Sequence, residues 1–250
     1  MNTSDTRRFG GISRLFGPEG FEKLAQASVT IVGVGGVGSW VAEAIARTAV
    51  GTITIIDGDT VEESNTNRQM PAMDGAYGRY KVDVLSERLR KINPNARINA
   101  LSVFINQDNF DDVIDRCDVL IDCIDSLSAK ALLLARGKEK APVVLTSGGA
   151  GGKVNASLVS VADIAHVEGD ALIAALRSQL RKKYGFAKGS ASGKKATPLG
   201  ITAVYSREPV RPSQDEGEGF GVFMAVTATF AMRLVQLAVE GILCEQKKQA

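Results

Sequence analysis

The sequence Gly33-Val-Gly-Gly-Val-Gly38 follows the apolar run Ser28–Val32, and behind it come Asp57, Asp59, Asn65, Asn67, Arg68 and Lys81, with Asp125 further on. A glycine loop between strand and helix lets backbone amides approach a phosphate at the helix N-terminus. Alone, it serves a dinucleotide as well as a triphosphate. Arg68 and Lys81 separate the two readings, because a guanidinium and an ammonium so soon after the second strand suit a triphosphate, where they would neutralise charge building during attack. Asp57 ends the second strand, where an open α/β sheet places a carboxylate on ribose hydroxyls. Asn65 can donate a neutral hydrogen bond near the phosphates. Asp125, in Ile121-Asp-Cys-Ile-Asp-Ser126, is placed to hold magnesium, a hard cation that prefers carboxylate and phosphate oxygens. Asp122 is the nearby alternative, and capping the next helix is the ordinary use of Asp125. The set as a whole points to nucleotide activation rather than hydride transfer.

The elements that must position these residues alternate. Strands are predicted over 28–33, 52–57, 97–104, 119–122 and 142–146, with helices over 37–49, 78–92, 107–116 and 126–139. This is the pattern of an α/β, Rossmann-like doubly wound sheet, mostly parallel, with ligand at the carboxyl ends of its strands. After residue 146 the pattern changes to a second glycine turn, Ser147–Gly152, and an alternating stretch from Lys153 to Val161 that suits an antiparallel extension. A helix over 169–184, a strand over 201–205 and a final apolar helix over 220–244 complete the reading. The expected organisation is one nucleotide-activating unit over 1–250. It has an N-terminal arm and helix over 1–27, a nucleotide-binding core over 28–160, and a substrate and dimer extension over 161–250 with a mobile basic loop at 185–197.

Composition bounds the alternatives. The chain has 250 residues, 44% of them hydrophobic, enough for a sizeable core, and a formal charge of only +2. No global basicity demands nucleic acid, and DNA is not an expected partner. Cys117, Cys123 and Cys244 show no zinc spacing, and Met1 to Arg8 hold no apolar signal core, so a reducing, cytoplasmic setting is expected. The final helix carries Arg233 and Glu240, which favours a packed or dimer-forming helix over a membrane span. His166, the single histidine, reads as a surface residue.

The glycine loop, Asp57-Gly-Asp59, Ser64-Asn-Thr-Asn-Arg-Gln69, Lys81 and Asp122-Cys-Ile-Asp125 together resemble the adenylating domain of ubiquitin-activating enzymes and of the ThiF-type activators of sulfur carriers, over about residues 8–160. The resemblance implies ATP and Mg2+, attack of a carboxylate on the α-phosphate, and a homodimer in which an N-terminal arginine reaches the other subunit's nucleotide. Where the family often reads Arg-Tyr-x-Arg this chain reads Arg8-Phe-Gly-Gly11, leaving Arg8 or Arg14 for that role.

Absences narrow the branch. Residues 124–243 contain no cysteine, so no thiol is offered for a thioester there, and the adenylate should pass directly to another nucleophile. Thr146–Lys153, Leu180–Gly185 and Val204–Glu208 resemble the tRNA threonylcarbamoyladenosine dehydratases, in which ATP activates the carboxylate of the modified adenosine and its own carbamoyl nitrogen closes a ring. The polar linker 207–219 is shorter than in longer members. Arg177, Arg181, Lys182, Lys183, Lys188, Lys194 and Lys195 stand in an acid-free stretch that could grip RNA phosphates, and equally could be a solvated face. Tyr184 and Phe186 could stack a base. Two rivals are an activator of a ubiquitin-like sulfur carrier and a nicotinamide or flavin oxidoreductase. A sulfur-relay protein is a possible further partner, and the backbone of Gly148 to Gly152 is the expected wall for an acyl adenylate.

Overall fold

The computed structural model describes residues 7–187, 197–213 and 219–244. Most of the basic loop expected at 185–197, including Lys188, Lys194 and Lys195, lies outside them. The strands are β1 (Ser28–Val32), β2 (Thr52–Ile56), β3 (Arg97–Leu101), β4 (Val119–Asp122), β5 (Val143–Ser147), β6 (Val159–Asp163) and β7 (Thr202–Ser206). They form a single seven-stranded sheet in the order β3-β2-β1-β4-β5-β7-β6. All neighbours are parallel except β6 and β7, whose antiparallel pairing forms the C-terminal edge.

Strand side chains alternate between two cores, as a pleat of period two requires. Ile31, Ile53, Ile55, Val119, Ile121 and Val204 face one core, while Val32, Ile56, Leu120, Val144 and Ala203 face the other. The first core is covered by α1 (Gly10–Gln26), α2 (Gly38–Arg47), α3 (Lys81–Ile92) and the final helix α7 (Met224–Cys244). The second is covered by α4 (Phe110–Val113), α5 (Leu127–Lys140) and α6 (Ala171–Tyr184). Helix α7 is long and apolar enough to cross a membrane, yet Val226, Phe230, Leu234 and Ala238 bury its inner face against α2 and the sheet. Between α2 and α3, Glu43 takes hydrogen bonds from Arg88 (2.8 Å) and Arg47 (2.8 Å). Helix α1 kinks at Gly17, φ 74°, just before Pro18, whose missing amide proton cannot continue the ladder.

Several boundaries differ from the sequence reading, each for a local reason. The helix expected over 107–116 is only Phe110–Val113, because the Asn106 and Asn109 side chains accept amide protons at residues 108, 109 and 106 and hold that backbone in turns. The strand expected from Lys153 begins at Val159: the amides of Val154 and Asn155 go to the Glu208 carboxylate (2.9 and 2.7 Å), not to a neighbouring strand. The final helix starts at Met224 rather than 220, since the Gly221 carbonyl accepts from the Gly152 amide at 2.8 Å and keeps that segment out of the helix.

Candidate active site

Strand order reverses between β1 and β4, and a cavity of about 930 Å³ opens there, at the carboxyl ends of β1, β2, β4 and β5. This is where doubly wound sheets bind ligands, and the volume lies at the upper end of the ~300–1,000 Å³ usual for such sites. Gly33, Gly35, Gly36, Asp57, Asp59, Arg68, Lys81 and Asp125 all line it, along with the second glycine turn through Gly148–Gly151.

The first glycine loop divides its labour. Gly33, φ 85°, donates its amide to the Ile56 carbonyl at 2.8 Å, and a Cβ on it would meet the Cys123 carbonyl at 2.8 Å. A Cβ on Gly38 would stand 1.8 Å from the Gly33 carbonyl, so these two glycines close the turn. Gly35 and Gly36 have no backbone in their way, with Gln69 (3.8 Å) and Arg68 (3.3 Å) the nearest groups, so their missing side chains leave cavity space instead. Asp57 braces the loop, its Oδ2 accepting from the Val34 amide (2.8 Å) and its Oδ1 from the Asp59 amide (2.9 Å). Burial raises the Asp57 pKa, outweighing the pull of those two hydrogen bonds and of nearby Lys81.

Lys81 begins α3 with its stem buried and its ammonium 2.9 Å from Asp59 Oδ2. Arg68 lies across Gly36 and donates to the Ser64 carbonyl and to Asn67 Oδ1, both at 2.9 Å. Asn65 and Asn67 do not line the cavity. Asn65 is buried and caps its own turn, Oδ1 accepting from the Glu62 amide at 3.2 Å, while Asn67 Nδ2 donates to the Val222 carbonyl at 2.9 Å. Asp125 is exposed in the cavity with no hydrogen-bond or ion-pair partner among the described residues; the N-cap of α5 is Ser126.

Asp122 is no candidate for a metal, since it is fully buried and occupied. Its Oδ2 accepts from Lys130 Nζ and Thr146 Oγ1, both at 2.6 Å, and its Oδ1 from the Ile124 amide at 3.0 Å. Burying both charges demands this full set of partners. The network ties β4 to β5 and shapes the turn that carries Asp125. Its lysine was not read from the sequence, because Lys130 sits in an amphipathic helix where a lysine ordinarily points to water. Trp40 was also missed: its indole donates to the Arg68 carbonyl at 3.0 Å and anchors the Ser64–Gln69 turn to α2. Gln69 is buried with its Oε1 unpartnered among the described residues.

No group of three or more His, Cys, Asp or Glu side chains gathers among the described residues. Among the described residues Asp125 alone offers an unpaired cavity carboxylate, which fits Mg2+ held through one protein ligand, phosphates and water. Burial pushes the thiols of Cys117 and Cys123 up, so neither is available as a thiolate near neutral pH.

The second glycine turn meets the other stretches read as distinctive. Lys153 Nζ donates to the Ser206 carbonyl at 3.0 Å, and Glu208 holds the Val154 and Asn155 amides. Asp170 both caps α6, accepting from Ile173 at 3.0 Å, and accepts from the Gly149 amide at 2.9 Å. Lys183 and Tyr184 reach the cavity from the end of α6, whereas Phe186 packs on the second core. Arg8 donates to carbonyls at the end of α3, and Arg14 is exposed on α1; neither lines this chain's own cavity.

The model of the ThiF family matches residues 11–246. The chain belongs to the ThiF family. This ThiF-family chain is 39% identical over 249 residues to a tRNA threonylcarbamoyladenosine dehydratase of Haemophilus influenzae, covering 95% of this chain and 94% of that one. It also matches the crystal structure of the E. coli tRNA N6-threonylcarbamoyladenosine dehydratase in complex with ATP. The TM-score is 0.90 at 37% identity, over 100% of this chain and 99% of that one. The same E. coli enzyme in complex with AMP gives a TM-score of 0.91 at 37% identity, over 99% and 98% of the two chains.

Proposed function

We propose that this chain catalyses the ATP-dependent dehydration of threonylcarbamoyladenosine beside the anticodon of tRNA, by cyclisation through an adenylate. The observation that carries the reading is that Gly35, Gly36, Arg68, Lys81 and Asp125 share one cavity with a second, glycine-rich turn, with no usable thiolate beside them among the described residues. Full-length similarity to dehydratases, one of them solved with ATP and with AMP, supports it.

In the first step a substrate carboxylate oxygen attacks the α-phosphorus, and the bond from that phosphorus to the bridging oxygen breaks, releasing pyrophosphate. Arg68 and Lys81 stabilise charge on the phosphate oxygens, Lys81 exchanging its pairing with Asp59 for the nucleotide. Asp57 accepts the ribose hydroxyls while it continues to brace the loop. Asn65 and Asn67 act by holding the turn that aims Arg68. Asp125 would hold Mg2+ with phosphate oxygens and water, and the bound ion would supply a Lewis acid on those oxygens. In the second step the substrate's own carbamoyl group attacks the acyl carbon and loses a proton. AMP leaves with one former carboxylate oxygen, so the nucleoside has lost one water. The wall of Gly148–Gly151 positions the acyl group through its backbone.

The working form is a cytoplasmic homodimer in which exposed Arg14 serves the partner subunit's nucleotide, while Arg8 stays with its own α3. A sulfur-relay protein is an accessory partner. The test is ATP consumption with magnesium on tRNA that carries threonylcarbamoyladenosine and on the same tRNA without it, followed by mass measurement of the nucleoside. AMP release with loss of one water from the modified nucleoside is expected. ATP left untouched by both RNAs, but consumed with a carrier protein ending in Gly-Gly, would replace this reading with that of a sulfur-carrier activator.

A further inference from the structure

Dehydration as proposed above places two adenine rings at one site, that of ATP and that of the modified nucleoside, and an enzyme that confused them would be inhibited by its own nucleotide. Three aromatic side chains line the cavity: Tyr184 packs partly on the second core, while two exposed phenylalanine rings are set on different parts of the wall. Phe104 is 65% exposed and rests against Gly58, where a Cβ would come within 2.6 Å of the ring. That places it beside Asp57, at the ribose end of the nucleotide. Phe220 is 62% exposed and rests on the second glycine turn, its Cβ 3.1 Å from where a side chain on Gly151 would begin.

The two residues that follow Phe220 are both pinned through their carbonyls. The Gly221 carbonyl accepts from the Gly152 amide at 2.8 Å, and the Val222 carbonyl accepts from Asn67 Nδ2 at 2.9 Å. The second bond ties the ring's segment to the turn that carries Arg68, one residue from Asn67. An exposed aromatic ring on a fixed backbone, inside a concavity and beside the acyl-binding wall, is a preorganised stacking platform for a flat π system. A carrier-protein tail of two glycines has no such surface to offer it.

We infer that Phe220 is the stacking platform for the purine base of the RNA nucleoside and a determinant of RNA substrate affinity. This rests on the dehydratase reading. Stacking aligns the base so that its N6 substituent, which bears the carboxylate, points along the Gly148–Gly151 wall toward the α-phosphate. Phe104, at the other end, serves the ATP purine, so the two rings sort the two adenines by position.

The experiment is steady-state kinetics of the full chain with modified tRNA and ATP varied separately, for F220A, F220L, F220W and F104A. Loss of one base stack predicts a rise of roughly tenfold or more in the KM for tRNA in F220A, with the KM for ATP unchanged. F220W should restore the tRNA KM, whereas F220L, apolar but without a π face, should not. F104A should raise the KM for ATP alone. An unchanged tRNA KM in F220A, full rescue by F220L, or an equal rise in both KM values in F220A would overturn the inference while the dehydratase reading stood. Failure of the unaltered protein to convert modified tRNA would remove that reading and the subsite with it.

Discussion

Two glycine-rich turns line the cavity, and beyond their strand neighbours they are held in place by different means. The turn at Gly33–Gly38 is fixed by its strand neighbours: Gly33 bonds Ile56 at the end of the adjacent β2, and Val34 bonds Asp57 immediately after it. The turn at Ser147–Gly152 starts in the same way, with Gly148 on Val204 of adjacent β7, but the rest of it is held by segments outside the strands, with Gly149 on Asp170 and Gly152 on both Gly221 and Arg211. Phosphate chemistry needs one stable cradle, and the carboxyl ends of interior strands provide it. An acyl site must suit one substrate among many, and segments inserted around a common sheet can be reshaped without disturbing that cradle.

The seam between the two turns is the buried Asp122–Lys130–Thr146 network, and breaking it should have the largest effect. K130M leaves Asp122 buried without its cation, so thermal or denaturant unfolding should show a loss of about 3–5 kcal/mol. A variant as stable as the parent would mean the two halves are joined by apolar packing alone.

Next come the groups on the first turn's side. R68A and D125A should each lower kcat by roughly 10²–10³, while the far-ultraviolet circular dichroism spectrum and melting temperature stay near those of the parent. Both side chains are at the cavity surface, so the fold does not depend on them. Normal turnover in both would break the assignment of chemistry to that side.

The second turn gives a smaller and different signature. D170A removes both the α6 cap and the Gly149 anchor, which should cost about 1–2 kcal/mol of stability and raise the KM for tRNA more than that for ATP. A rise confined to ATP would show that the two turns are not divided as described.

The smallest effect is on pH. Burial alone would raise the Glu43 carboxyl, but hydrogen bonds from Arg88 and Arg47 outweigh it and hold the pKa below its ordinary 4.5. A depressed folded-state pKa contributes stability above 4.5 that is lost as pH falls through the folded value. Melting temperature should therefore fall on acidification below pH 4.5, and E43Q should flatten that part of the profile without touching the cavity. An E43Q profile with the parent's slope would assign the acid sensitivity to other carboxylates.

The legibility of the two regions differed in the same way as their construction. Gly33, Gly35, Gly36, Asp57 and Asp125 could be read as one site because each follows a strand end by a few residues, and parallel strands of a doubly wound sheet bring those ends together; Arg68 and Lys81 stand farther along the chain and were legible only by their charge. Asn65 and Asn67 were read into the same site by adjacency in sequence; their side chains instead serve the turn and Val222, which spacing alone does not reveal. Lys130 and Trp40 were illegible for a related reason. A lysine on a helix and a tryptophan beside a glycine loop acquire their roles only when a carboxylate or a carbonyl from another segment arrives.

Local periodicity and glycine spacing by themselves determined that this chain forms alternating strands and helices with a phosphate loop after the first strand, since the hydrophobic pattern and the steric freedom of glycine act within a few residues. The tertiary structure alone decided which polar groups remain available to a ligand. Burial and partners drawn from distant stretches consumed Asp122, and they left Asp125 facing the cavity beside it. The same long-range packing set Phe220 upon Gly151, because solvation and hydrogen-bond satisfaction are properties of the assembled fold rather than of any segment.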